Sequence, residues 1–149
     1  MKIKFFSLIG ILLLVSSCKT YTVPVESFKK QMTESDSGQL KTVEINHPGF
    51  YSQSNSNRNL NYEANSIKSI EVFDKKGNKV KLENSPKLEM RITKKDGKKN
   101  ILLFDTVIVQ NDTLKGARSR LIQNLTREIA LIDIEKIEIQ DSGKVYEYQ

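Results

Sequence analysis

One thiol and one imidazole, Cys18 and His47, are all that this chain of 149 residues offers of either type. They set narrow limits on its covalent chemistry. A hydrolytic triad needs a general base within reach of its nucleophile. His47 runs straight into Pro48-Gly49, a turn signal, and the many serines never fall into a Gly-x-Ser-x-Gly elbow. Zinc sites draw chiefly on Cys and His, and one of each does not make a site. Asp74-Lys75-Lys76-Gly77-Asn78 has too few acids and too many cations for a calcium loop. Lys75-Lys76-Gly77 and Lys94-Lys95-Asp96-Gly97-Lys98-Lys99 lie between strand patterns, so they read as hairpin tips rather than the strand-to-helix turns that cradle phosphate. Glu135 and Glu138 form a carboxylate pair of the type glycosidases use. They flank core isoleucines at strand positions where charges face water, and nothing near them argues for a raised pKa. The residues therefore nominate no catalytic group, no metal ligand and no cofactor.

Cys18 has a different context. Met1-Lys2-Ile3-Lys4 is basic, Phe5 to Val15 is apolar, and Ser16-Ser17 are small. That order is the order of a bacterial export signal. The apolar run is 11 residues long, too short for the roughly 20 that a spanning helix needs. Where an ordinary signal ends in a small-residue cleavage site, this one ends in Val15-Ser16-Ser17-Cys18, and it resembles a bacterial lipoprotein signal. The resemblance covers the first 18 residues. It implies removal of residues 1–17, a thioether from Cys18 to diacylglycerol and an acylated amine, with palmitate-type chains. Two or more such chains anchor stably where one does not. The resemblance also bears on sorting: an aspartate after the cysteine tends to retain such proteins at the inner membrane, and here Lys19 stands there, which favours the outer membrane.

The remaining 132 residues are the length of one domain, enough to bury a core without disulfides. The full chain carries a net +6, of which Lys2 and Lys4 supply two charges. Residues 75–99 hold ten Lys or Arg against three acids, a local +7. An exported protein does not meet nucleic acid, so this segment points to anionic envelope polymer or lipid. On alternating strands the candidate contacts are Lys75, Lys76, Lys79, Lys81, Lys94, Lys95, Lys98 and Lys99, merging into one patch from two neighbouring hairpins. The plainer account is a solvated face whose lysines keep strand edges from pairing with other chains. A second candidate is glycan stacking by Tyr51 and Tyr62 across an Asn/Ser-rich loop over 52–61. That loop is too polar to offset its ordering entropy and is expected to be mobile, and the plainer account of its aromatic ends is that they dock on the core.

The elements that must position these groups are mostly strands. Residues 18–23 read as a lipidated tether, and 24–149 as the domain. Val25, Phe28 and Met32 mark a short helix over 24–32. Strand patterns run over 41–46, 67–73, 79–83, 87–94, 113–120, 127–131 and 135–140, with 144–148 a final candidate. The apolar run 100–110 does not alternate, so it is either buried on both faces or bends between two sheets at Asp105-Thr106. Residues 117–126 are read as strand and loop, although Leu121, Ile122 and Leu125 also fit a helical face. Seven to nine antiparallel strands predict a mostly-β barrel or sandwich with one short helix. The tail from Asp112 to Ile139 resembles Sm- or SH3-like barrels in its order of a strand near a glycine, an aliphatic strand, a tight turn and another aliphatic strand. The function expected is a lipid-anchored envelope protein with a binding or structural role. Its partners are the membrane and an anionic envelope polymer or another envelope protein. The alternative is a small envelope hydrolase or glycan-processing enzyme.

Overall fold

The fold starts from turns whose backbone demands are met by the residues present. Asn111 and Asp112 both take positive φ, 48° and 56°, the two-residue hairpin turn that matches strand twist. Gly77 and Gly97 supply the left-handed position at two longer tips. In each tip an aspartate accepts backbone N–H groups: Asp74 from Lys76 and Asn78, and Asp96 from Lys98. The coordinates are a computed structural model that describes residues 19–35, 39–47, 58–122, 124–144, 146 and 148. The signal segment, Cys18, Tyr51 and 48–57 lie outside the described residues.

The chain is mostly β and antiparallel. Its strands are β1 (Thr20–Val23), β2 (Leu40–His47), β3 (Arg58–Asn65), β4 (Ser69–Phe73), β5 (Lys79–Glu83), β6 (Leu88–Lys94), β7 (Lys99–Leu103), β8 (Ile108–Gln110), β9 (Thr113–Ala117), β10 (Thr126–Ala130) and β11 (Ile134–Asp141), with one helix α1 (Val25–Glu34). Six strands form the main sheet in the order β5-β4-β1-β11-β6-β7; β10-β9-β8 form a second sheet and β2-β3 a third. Alternate residues of the main sheet, among them Val23, Ile70, Val72, Met90, Ile92, Leu102, Ile137 and Ile139, bury one face. Phe28 and Met32 of α1 and Leu114 of β9 cover that face, so helix and second sheet share one core with it. Gly116 is where β9 comes closest: a β-carbon there would lie 2.8 Å from Val107 Cγ2 and 3.1 Å from Leu102 Cδ1. The β2-β3 hairpin builds a smaller core from Ile45, Tyr62 and Ala64.

Several expectations hold. The helix, the two Gly-tipped hairpins and the mostly-β sandwich-like class are as read. The 100–110 run takes the bending alternative, passing from β7 through a 3₁₀ turn at Phe104–Thr106 into β8 of another sheet. Others are corrected. The tether 18–23 is not a tether over its last four residues: β1 pairs with β11 from Thr20↔Gln140 to Val23↔Ile137 and touches β4 at Thr22↔Phe73. Thr20, Tyr21, Thr22 and Val23 suit a pleated surface, and they lie inside the main sheet rather than at its edge. The loop expected over 52–61 fails for residues 58–61, which pair with Glu44 to His47 as the first half of β3. A partner strand supplies their hydrogen bonds, and Leu60 packs on the small core. His47 is accordingly the last residue of β2 rather than part of a turn. Eleven strands replace seven to nine among the described residues. Of the final candidate strand, residues 145 and 147 lie outside the described residues, and the described ones show an isolated bridge, Ile45↔Tyr148.

The short β1 leaves a gap that a side chain fills. Pro24 has no N–H and ends the strand, so Glu71 of β4 loses its backbone partner. The Gln31 carboxamide of α1 takes that place: its Oε1 accepts from Glu71 N–H at 2.7 Å and its Nε2 donates to the Glu71 carbonyl at 3.0 Å. Gln31→Ala should therefore cost about 1 kcal/mol of stability in urea unfolding. Gln31→Glu, which keeps the acceptor and loses the donor, should do no better, and unchanged midpoints for both would remove this role.

Candidate functional site

The most apolar segment of the domain, residues 100–110, carries a single acid. Asp105 sits in the 3₁₀ turn where β7 passes into β8, and it is fully buried. Such a charge must be paired and hydrogen-bonded to persist. Arg120, in the loop after β9, meets its Oδ1 at 2.8 Å and is itself buried. The other oxygen, Oδ2, accepts the hydroxyl of Tyr62 from β3 and that of Tyr148 at 3.1 Å. The Arg120 guanidinium also donates to the Pro86 carbonyl at 2.8 Å. It lies 5.1 Å from the ring centre of Tyr62 and 5.4 Å from that of Tyr146, within cation–π range.

The electrostatics follow from this packing. Burial pushes the Tyr62 hydroxyl well above its ordinary value, and the negative Asp105 adds to the shift. Tyr148 is raised for the same two reasons in the same order. Burial works against the charge on Arg120, but Asp105 and Tyr62 more than offset it and its pKa rises. Both phenols are thus held neutral and the guanidinium charged. Among the described residues Asp105 accepts from Arg120, Tyr62 and Tyr148.

Beside this cluster lies a cleft of about 260 Å³, lined by Tyr62, Arg120, Thr106, Ser119, Lys115 and Leu40 among others. The loop next to it, read as strand and loop, carries Leu121 and Ile122 exposed to solvent. Among the described residues no group of three or more His, Cys, Asp or Glu could hold a metal ion. Glu138, one of the paired carboxylates, is bound to Lys136 at 2.7 Å.

The sequence-based candidates fall elsewhere. Tyr62 is not available to stack on a glycan, because its ring is buried and its hydroxyl is bonded to Asp105. Tyr51 lies outside the described residues. The eight lysines do not form one patch. Phe73, Thr22, Glu138, Arg91 and Ile101 lie in one row across the main sheet. From that row β4 runs on past Thr20 and Tyr21 to the tip with Lys75 and Lys76, while β6 runs the other way, past Ile137 towards Ile134, to the tip with Lys95 and Lys98. The tips leave opposite ends of the sheet on opposite edges, on the order of 25 Å apart by strand geometry. That is beyond the reach of unscreened coupling in physiological salt. Lys79 is spent on Glu71 at 3.0 Å, and Lys94 and Lys98 share Asp96 at 3.5 and 3.4 Å. Sequence reasoning missed the Asp105–Arg120 pair. Its one available signal was a lone acid inside the run from Ile101 to Val109.

Two outcomes are expected. Arg120→Met and Asp105→Asn should each lower stability by about 3–5 kcal/mol, with the double variant losing far less than the sum, as for any buried pair whose partner is left uncompensated. Additive losses in denaturant unfolding would show that the pair is not coupled. For Tyr62 the folded pKa is raised, so its contribution is complete below about pH 10 and is lost as pH climbs beyond it. The Tyr62→Phe, Tyr148→Phe variant should therefore show a shallower fall in urea midpoint between about pH 9 and 11 than the parent protein. Parallel curves would exclude the assignment.

Comparison with protein-family models, with curated proteins and with solved structures returns no match, so no relative lends this chain an assignment.

Proposed function

We propose that this chain is a lipid-anchored cell-envelope protein with a binding or structural role and no catalytic one. The observation that carries the reading is the juxtaposition of Cys18 with the fold. The cysteine closes a basic, apolar and small-residue segment, and β1 enters the main sheet at Thr20, two residues later. Signal and domain therefore meet at the one thiol the chain possesses. No helix among the described residues is long and apolar enough to cross a membrane; the acyl anchor is supported instead by the 11-residue apolar run before Cys18, shorter than the roughly 20 residues a spanning helix needs. Lys19 in place of aspartate supports the outer membrane. The buried cluster supports the non-catalytic part, because its carboxylate, guanidinium and two phenols are bonded to one another.

The test is chemical. In a bacterial host, the full chain should incorporate labelled palmitate and fractionate with membranes. Cys18→Ser should abolish the label and leave the signal segment uncleaved. An unlabelled parent chain, or a serine variant that still takes up palmitate, would refute the anchor.

A further inference from the structure

Pairing of β1 from Thr20 onward sets what an anchor at Cys18 would do. A lipoprotein with a flexible tether holds its domain away from the bilayer and free to tumble. Here only Lys19 separates Cys18 from Thr20. Consecutive Cα atoms are 3.8 Å apart, so the lipid-bearing residue lies within roughly 8 Å of the first paired residue of β1. That residue is not at a loose edge. β1 is hydrogen-bonded to β11 over its whole length and touches β4 on its other side. Of the two ends of the main sheet, the one bearing Thr20 is therefore pulled against the headgroups.

That end has a definite chemistry. Beyond Thr20 and its partner Gln140 lie the β4-β5 tip with exposed Lys75 and Lys76, then Lys87 just before Leu88, which pairs with Asp141, and Lys144 just after β11. Lys19 itself is exposed. The acids there are largely engaged. Asp74 turns its carboxylate into its own tip, bonding Lys76 N–H, Asn78 N–H and Asn78 Nδ2, and these bonds with Asn78 hold its pKa below the ordinary value. Glu89 is tied to Lys144 at 2.7 Å, and Asp141 accepts from Gly143 N–H at 2.8 Å. Each lysine near an anionic membrane surface adds only a small attraction, and the effect fades within a Debye length. Too weak to recruit a free protein, such a set can orient one already held at the surface by a covalent anchor.

We infer that the end of the main sheet bearing Thr20, with Lys19, Lys75, Lys76 and Lys87, lies on anionic phospholipid headgroups, and that the tip with Lys95, Lys98 and Lys99 points away from the membrane. This rests on lipidation of Cys18. It deepens that reading by fixing which face meets the bilayer, with Lys75 and Lys76 of the eight candidate lysines at the membrane and Lys95, Lys98 and Lys99 away from it.

The two tips serve as each other's control in a lysine footprint. The mature protein purified from membranes is placed on vesicles of phosphatidylethanolamine with phosphatidylglycerol, or of phosphatidylcholine alone, and its amines are labelled and read by mass spectrometry. On the anionic vesicles, acylation of Lys75 and Lys76 should fall at least about threefold relative to Lys95 and Lys98, a contrast set by the short reach of headgroup charge. On the neutral vesicles the contrast should shrink. An insert of about ten Gly/Ser residues after Cys18, with a mean span near 18 Å, should restore labelling of Lys75 and Lys76. Equal labelling at both tips on anionic vesicles, or protection of Lys95 and Lys98 instead, overturns the orientation. Equal protection on both vesicle types overturns the anionic contact. The mass of the amino-terminal peptide, read in the same samples, separates the two levels: lipid on Cys18 with unprotected tips sinks this inference alone, whereas bare Cys18 sinks the anchor and this inference together.

Discussion

The buried carboxylate of Asp105 is the constraint that the arrangement of the sheets depends on. It sits where the chain leaves the main sheet for the second one, and every donor that satisfies it comes from somewhere else: Tyr62 from the β2-β3 hairpin, Arg120 from the loop after β9, Tyr148 from the carboxyl-terminal segment. Arg120 in turn reaches the Pro86 carbonyl ahead of β6. An ionised carboxylate cannot be buried without such partners, and a partner removed leaves a cost larger than the pair ever contributed. Nearby Asn65 reinforces the joint, donating from one amide to the carbonyls of Phe104 and Val107 at 2.9 and 2.8 Å. The hairpin has only a small core of its own, and its polar attachment to the bend supplies what apolar area does not.

The same logic governs the amino-terminal side. Four residues of β1 form too short a strand to serve β4 along its length, and proline then ends it. The helix that follows lays Phe28 and Met32 on the core and returns a carboxamide to the backbone the strand left unpaired. Strand, proline and helix act as one unit, which couples whatever holds residue 18 to the central strands of the sheet. The order of the strands, as much as charge, thereby sets which surface residues lie beside Thr20.

Much of the local structure was legible. The helix follows from Val25, Phe28 and Met32, and the hairpins follow from Gly77, Gly97 and Asn111-Asp112, because short-range sterics and hydrogen bonding decide them. Residues 58–61 misled, since Arg58-Asn59-Leu60-Asn61 is polar and becomes a strand only because residues 44–47 lie alongside. Tyr62 was legible in part: an aromatic that closes a polar run docks on the core, as the plainer account has it, but the carboxylate that claims its hydroxyl is 43 positions away.

What the sequence determined by itself is the set of local facts: the signal-like segment ending at Cys18, the antiparallel β class, the turns, and the scarcity of groups able to do covalent chemistry. Each depends on neighbours within a few positions, where covalent geometry and local hydrogen bonds dominate. What only the tertiary structure decided is where those pieces face. The +7 segment 75–99 is contiguous in the chain, yet its lysines part to opposite ends of a sheet because β1 and β11, distant in sequence, insert between its two hairpins. Charge adds along a chain by counting, but it acts through space, and strand order sets the space.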